Sequence, residues 1–125
     1  PWAVRRQVEG AKALIGDIPL RLHFHDTRNT GLANAFAGVE AGVEILDSSV
    51  GGLGGCPFAP GAAGNVGTEE LLYLFGRSGI ATGYDLETTL EANRWLATIM
   101  GRALPSRAGK AGDFVARHIP IGANS

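Results

Sequence analysis

Two histidines separated by one residue are the first candidates for chemistry in this 125-residue chain. They lie in the segment Leu20–His25, where apolar and polar residues alternate strictly and therefore predict a β-strand. The alternation places His23 and His25 on the same face, with Cα atoms roughly 7 Å apart. This spacing suits two ligands of one divalent metal, although two histidines hydrogen-bonded to neighbouring backbone would show the same pattern.

The glycine-rich segment Gly51–Gly67 carries the second set of candidates, including the only cysteine, Cys56. Glycine and proline both disfavour the interior of helices and strands, so the segment predicts a long loop, and such loops are usually either functional or disordered. A thiol there is a candidate nucleophile or acid, against the alternative of a small buried residue. Asn65 is either a turn residue or a source of the amide oxygen that Mg²⁺ and Mn²⁺ accept.

Composition excludes several functional classes. The net charge is −1 and charged residues make up 18% of the chain, without a basic run, so we expect no nucleic-acid partner. No apolar stretch approaches the ~18 residues of a membrane span, so we expect no membrane partner, and Pro1-Trp2 does not begin a signal peptide. A single cysteine is typical of a reducing compartment, which predicts a cytoplasmic protein, or a mitochondrial-matrix protein in a eukaryote.

The elements predicted around these candidates alternate between helix and strand. A helix ending at Gly16 precedes the histidine strand, a second helix and the strand Val43–Ser48 follow, and a third helix begins at Thr68 after the loop. Asp85 is a suitable N-cap for a last helix with an apolar side at Leu86, Leu90, Leu96, Ile99 and Ala103. This order is typical of α/β folds with parallel strands.

Three segments carry a resemblance to a known family: HFHDTRNTGLAN from His23, LDSSVGGLGGCPFAPGAAGN from Leu46 and TEELLYLF from Thr68. They resemble 3-hydroxy-3-methylglutaryl-CoA (HMG-CoA) lyases, members of a metal-dependent superfamily of TIM-barrel lyases and synthases. The likeness covers residues 1–103, and GGLGGCP is specific to the lyase branch. His25-Asp26-Thr27 departs from the pattern of the related synthases, which also lack this cysteine loop.

The resemblance implies a site and an activity. His23, His25 and Asn65 would be ligands of Mg²⁺ or Mn²⁺, with His23 close enough to the substrate for proton transfer. Cys56 would be the catalytic thiol. Glu69, by itself a carboxylate that favours the start of a helix, would be a further catalytic-site residue that supports the site. The implied reaction is retro-Claisen cleavage of an acyl-CoA substrate, HMG-CoA, to acetyl-CoA and acetoacetate.

The chain is short for this family, because a TIM barrel needs about 250 residues. The family's first-strand motif, which brings an arginine, a glutamate and an aspartate metal ligand, has no counterpart here. We therefore predict the C-terminal half of a barrel, incomplete on its own, over residues 1–104 and a poorly ordered tail over residues 105–125. Such a fragment should be inactive alone and should form a homo-oligomer or pair with a missing N-terminal half. The alternatives are a non-catalytic half-barrel relic and a Claisen-type synthase.

Overall fold

The computed structural model describes residues 1–55 and 64–113. Cys56 and the far end of the predicted tail lie outside these ranges. The elements follow in the order α1 (Trp2–Ile15), β1 (Arg21–His23), α2 (Gly31–Glu40), β2 (Ile45–Asp47), a 3-10 turn (Val50–Gly52), α3 (Thr68–Arg77), α4 (Leu86–Met100) and α5 (Arg107–Ala111). The α/β class is confirmed.

The two strands pair in parallel, with Leu22 opposite Leu46 and His23 opposite Asp47. Each strand is shorter than predicted. Beyond its carboxyl end, the backbone forms hydrogen bonds with the chain that returns from the glycine loop, and not with the other strand. Val66 donates its N–H to the carbonyl of Phe24 at 3.1 Å and accepts from Ser49 N–H, also at 3.1 Å. Within the described ranges the strands form a small parallel sheet and not a closed barrel.

The core lies between this sheet and the helices α2 and α3. Its buried members are Ala35, Val66, Leu71 and Phe75. Small residues let α2 approach β1 closely, since a Cβ added to Gly38 would lie 2.7 Å from a methyl group of Leu22. The predicted apolar face of α2 contacts this core from its edge, where the side chains are partly buried: Leu32, Phe36 and Val39.

The last long helix, α4, starts as predicted and buries only part of its predicted apolar side, with Leu86 and Leu96 partly buried. Asp85 caps it by accepting the Thr88 N–H at 2.7 Å, and Leu90 is buried. Ile99, predicted on the apolar side, is 66% exposed, and Ala103 is exposed beyond the end of the helix. The polar Asn93 is buried in their place because a carboxylate on α3 accepts a hydrogen bond from its amide.

The segment predicted as a tail begins with ordered structure. Leu104 and Ser106 are buried, and Arg107–Ala111 forms α5, capped by the Ser106 hydroxyl, which accepts the Gly109 N–H at 2.7 Å. The Glu70 carboxylate also accepts from the Ser106 hydroxyl at 2.9 Å and the Ala108 N–H at 3.1 Å. These partners lie far away in sequence, so the glycine- and arginine-rich composition of the segment did not reveal them.

No helix within residues 1–55 and 64–113 is long and apolar enough to cross a membrane.

Replacing Gly51 with alanine should destabilise the fold by about 2 kcal/mol, the usual scale for overpacking. Gly51 has a φ of 73°, and an added Cβ would lie 2.4 Å from a methyl group of Leu104. Gly55→Ala is the matched control, because nothing lies within 4 Å of its added Cβ. Urea denaturation followed by circular dichroism should give a lower midpoint for Gly51→Ala alone, and equal midpoints would contradict the packing described.

The Asp85 cap should make stability depend on pH. The hydrogen bond from the Thr88 N–H lowers the pKa of the Asp85 carboxyl below its ordinary value. A carboxyl with a lowered folded-state pKa stabilises the fold above its unfolded pKa of about 4, and the contribution is lost as pH falls through the folded value. The difference in urea midpoint between the wild type and Asp85→Ala should therefore be larger at pH 7 than at pH 2.5. A difference that stays constant across this range would refute the assignment.

Candidate functional site

The two histidines lie side by side at the end of β1. Their ring centroids are 5.3 Å apart and the rings meet edge to face at 65°. The His23 side chain is half exposed, while His25 is partly buried where the chain leaves the strand. The pair therefore presents two imidazoles at the carboxyl end of a parallel strand, the end where α/β folds usually place their sites.

Asn65 is brought next to this pair by backbone pairing. It forms an antiparallel bridge with His25, and the flanking contacts are the Asp26 N–H to Gly64 carbonyl bond at 3.2 Å and the Val66 N–H to Phe24 carbonyl bond at 3.1 Å. His25 and Asn65 are 40 positions apart in the numbering, so this contact depends on the loop returning to the strand end.

The amide of Asn65 has a defined orientation. Its Nδ2 donates to the carbonyl of Leu53 at 3.1 Å. The loop backbone packs against the same group, since a Cβ added to Gly54 would lie 2.8 Å from Nδ2. With Nδ2 engaged in this way, Oδ1 is the atom of the amide that can serve as a ligand.

The available donors suit a divalent cation. Two imidazole nitrogens and one amide oxygen form a mixed set that Mn²⁺ and Mg²⁺ accept, Mg²⁺ with a stronger preference for oxygen. Over residues 1–55 and 64–113, no group of three or more His, Cys, Asp or Glu side chains could hold a metal ion. A set made of two histidines and an asparagine is not a group of this kind, because only two of its members belong to these four residue types.

Asp47 adds a negative charge beside His23. The two residues are opposite each other in the strand register, with 4.0 Å between His23 Nδ1 and an Asp47 carboxylate oxygen. Arg21 holds the other Asp47 oxygen at 2.9 Å. The 4.0 Å separation is longer than a hydrogen bond, so the Asp47 carboxylate lies beside the imidazole without bonding to it.

Glu69 lies against the Val50–Gly52 turn, where the glycine-rich loop begins. It is fully buried, and its carboxylate accepts the Gly51 N–H at 2.8 and 3.0 Å and the Asn93 side-chain amide at 2.7 Å. The carboxylate is therefore directed at backbone and at α4. Sequence reasoning selected Glu69 but missed Asn93, which belongs to no motif; its only signal was a position one helical turn after Leu90, on the buried face of α4.

Arg107 is a second residue that sequence reasoning did not select. Its guanidinium donates to the Asn29 side chain at 2.7 Å, in the turn that follows His25. Together with the bonds from Ser106 and Ala108 to Glu70, this contact ties the segment before and within α5 to the edge of the site.

Cys56 lies outside the described residues, which end at Gly55 on the near side of the loop. Its catalytic role stays a prediction.

Comparison with known proteins identifies relatives of this chain. The family model HMGL-like matches residues 1–96. The (R)-citramalyl-CoA lyase of Chloroflexus aurantiacus is 50% identical over 98 residues, covering 78% of this chain and 31% of the relative. The hydroxymethylglutaryl-CoA lyase of Bacillus subtilis is 46% identical over 99 residues, covering 77% of this chain and 33% of the relative.

Solved structures give the same result. An HMG-CoA lyase from Acinetobacter baumannii, in complex with coenzyme A and 3-methylmalate, superposes with a TM-score of 0.84 at 44% identity, covering 95% of this chain and 39% of that one. The hydroxymethylglutaryl-CoA lyase of Pseudomonas aeruginosa superposes with a TM-score of 0.81 at 42% identity, covering 87% and 36%. The chain thus spans about a third of the length of the curated relatives it matches, and it belongs to the HMGL-like family.

Proposed function

We propose that this chain forms part of a divalent-metal-dependent lyase that cleaves HMG-CoA to acetyl-CoA and acetoacetate. The observation that supports the proposal is the His23–His25 ring pair at the end of β1, with Asn65 bridged to His25 through the backbone, in a chain of the HMGL-like family. Several of its relatives are named hydroxymethylglutaryl-CoA lyases.

Mg²⁺ or Mn²⁺ held by His23, His25 and Asn65 would lower the pKa of the substrate hydroxyl and orient the bond to be cleaved. His23 is half exposed, which would leave it close enough to the substrate to take part in the transfer of the hydroxyl proton. As the C2–C3 bond breaks, the enolate of acetyl-CoA must gain a proton before it recombines. Cys56 would supply that proton from the glycine loop.

A second substrate is favoured by one comparison. The relative at 50% identity is named an (R)-citramalyl-CoA lyase. Citramalyl-CoA and HMG-CoA share a tertiary 3-hydroxy-3-methyl centre, and they differ by one methylene before the free carboxylate. The same bond cleavage would release pyruvate from citramalyl-CoA instead of acetoacetate, so the product identifies the substrate.

We further propose that another polypeptide segment completes the site. The described residues contribute two strands of a sheet, and the matched segment is only about a third of each relative's length. The missing strands would supply the remaining metal ligand and an arginine, from a second polypeptide or from a longer chain. On this view the 125 residues bind the metal but turn over slowly or not at all.

Activity should appear only when the remainder of the enzyme is supplied. A chimaera in which residues 1–104 replace the matching segment of the Bacillus subtilis lyase should cleave HMG-CoA with Mg²⁺ present, whereas the 125-residue chain alone should not. Acetoacetate and pyruvate release would be measured with HMG-CoA and citramalyl-CoA offered separately. A folded chimaera inactive on both substrates would favour the non-catalytic relic, and robust turnover by the chain alone would refute the proposed incompleteness.

Cys56→Ser in that chimaera should lower kcat by about 10²- to 10⁴-fold, the usual contribution of a positioned acid, because a serine hydroxyl is a far weaker acid than a thiol. Ser48→Ala is the control, since the Ser48 hydroxyl bonds Thr68 at 2.9 Å and has no role in the proposed proton transfer. A Claisen-type synthase would retain its rate after Cys56→Ser, and that result would remove the lyase assignment.

A further inference from the structure

We infer that Asn93 is a positioning residue for Asn65, acting through Glu69 and the Val50–Gly52 turn. The inference rests on the proposed function only in treating Asn65 as a metal ligand. It concerns a polar side chain on α4 that lies outside every motif by which the chain resembles its family.

The first step of the connection is the contact between Asn93 and Glu69. Asn93 is 6% exposed, and its Nδ2 donates to Glu69 Oε1 at 2.7 Å. Gly109 of α5 packs against the same amide, because a Cβ added there would lie 2.5 Å from Nδ2. The amide is thus held between two helices and the carboxylate.

The second step runs from Glu69 to the turn. The buried carboxylate accepts the Gly51 N–H with both oxygens, at 2.8 and 3.0 Å. Gly51 has a left-handed φ of 73°, and Leu104 packs directly against its Cα, so little room is left for adjustment. A carboxylate removed from water needs its hydrogen bonds, and the loss of the Asn93 donor would favour a rotation that also weakens the bond from Gly51.

The third step runs from the turn to the proposed ligand. Immediately after the turn, the Leu53 carbonyl accepts the hydrogen bond from Asn65 Nδ2. The backbones on either side touch, since a Cβ added to Gly64 would lie 2.4 Å from the carbonyl oxygens of both Gly52 and Gly54. A shift of the turn therefore moves the acceptor that orients the Asn65 amide.

A residue that orients a ligand has an effect distinct from general stability. Partners of metal ligands typically change metal affinity by 10- to 100-fold when they are removed. A purely structural residue on α4 would instead lower the unfolding midpoint and leave the affinity of the folded protein unchanged.

The test uses Asn93→Leu in the 125-residue chain, a change that keeps the size of the side chain and removes its donor. In ¹⁵N-labelled protein we expect the Gly51 N–H to exchange with D₂O at least ten times faster than in the wild type. The Asn65 side-chain amide resonances should move toward those of an exposed asparagine. The Kd for Mn²⁺, from the paramagnetic resonance signal of free Mn²⁺, should rise about tenfold or more.

Leu90→Ala is the matched control, since Leu90 is buried one turn earlier on α4 and has no bond to Glu69. It should lower the unfolding midpoint while leaving the Asn65 resonances and the Mn²⁺ affinity of the folded protein unchanged. If Asn93→Leu does not fold, Asn93→Ser, which is smaller, replaces it in every measurement.

The inference would be wrong if Asn93→Leu left the Gly51 exchange rate and the Asn65 resonances as in the wild type. It would also be wrong if Asn93→Leu changed them only as much as Leu90→Ala does. The proposed function fails separately, if wild-type chain binds Mn²⁺ no more tightly than the His23→Ala and His25→Ala double variant. In that case the Gly51 exchange and Asn65 resonances still decide whether Asn93 positions Asn65.

Discussion

The structure depends on one set of backbone hydrogen bonds, those by which the chain returning from the glycine loop joins the ends of both strands. Val66 bonds to Phe24 beyond β1 and to Ser49 beyond β2. Each such bond contributes only about 0.5–1.5 kcal/mol to stability, but together they determine which residues meet. They bury Val66 in the core and place its neighbour Asn65 against His25. Without this return Asn65 would not lie beside His25.

Glycine is required at positions around this junction where there is no room for a side chain. At Gly51 the left-handed backbone and the approach of Leu104 exclude a side chain, and at Gly64 two carbonyl oxygens do the same. The glycines at 52, 54 and 64 thus allow the two sides of the loop to approach each other next to the Asn65 amide.

Hydrogen bonds of buried polar side chains on α3 and α4 stabilise this junction. Glu69 and Asn93 are hydrogen-bonded inside the protein. Glu70 accepts hydrogen bonds from the Ser106 hydroxyl and from the start of α5. The buried Glu69 carboxylate is costly unless it is hydrogen-bonded, so its contacts constrain α4 and the turn that supply the donors. The orientation of α4 follows from this requirement, since burying Asn93 leaves Ile99 on the outside.

The sequence by itself determined the features that depend on local pattern. Spacing and residue type were sufficient to predict the ends of α1, the start of α3, the Asp85 cap and the common face of the two histidines. The same holds for the family, whose motifs lie in continuous segments. Helical and strand periods act over a few residues, so they can be interpreted without knowing the fold.

Only the tertiary structure decided how these elements meet. Three contacts join residues that lie far apart in sequence: His25 with Asn65, Asn93 with Glu69, and α5 with Glu70. The shorter strands also result from contacts of this kind. Hydrogen-bond partners at such separations leave no periodic signal in the sequence. They arise because buried polar groups must find partners wherever the packed helices and strands bring them together.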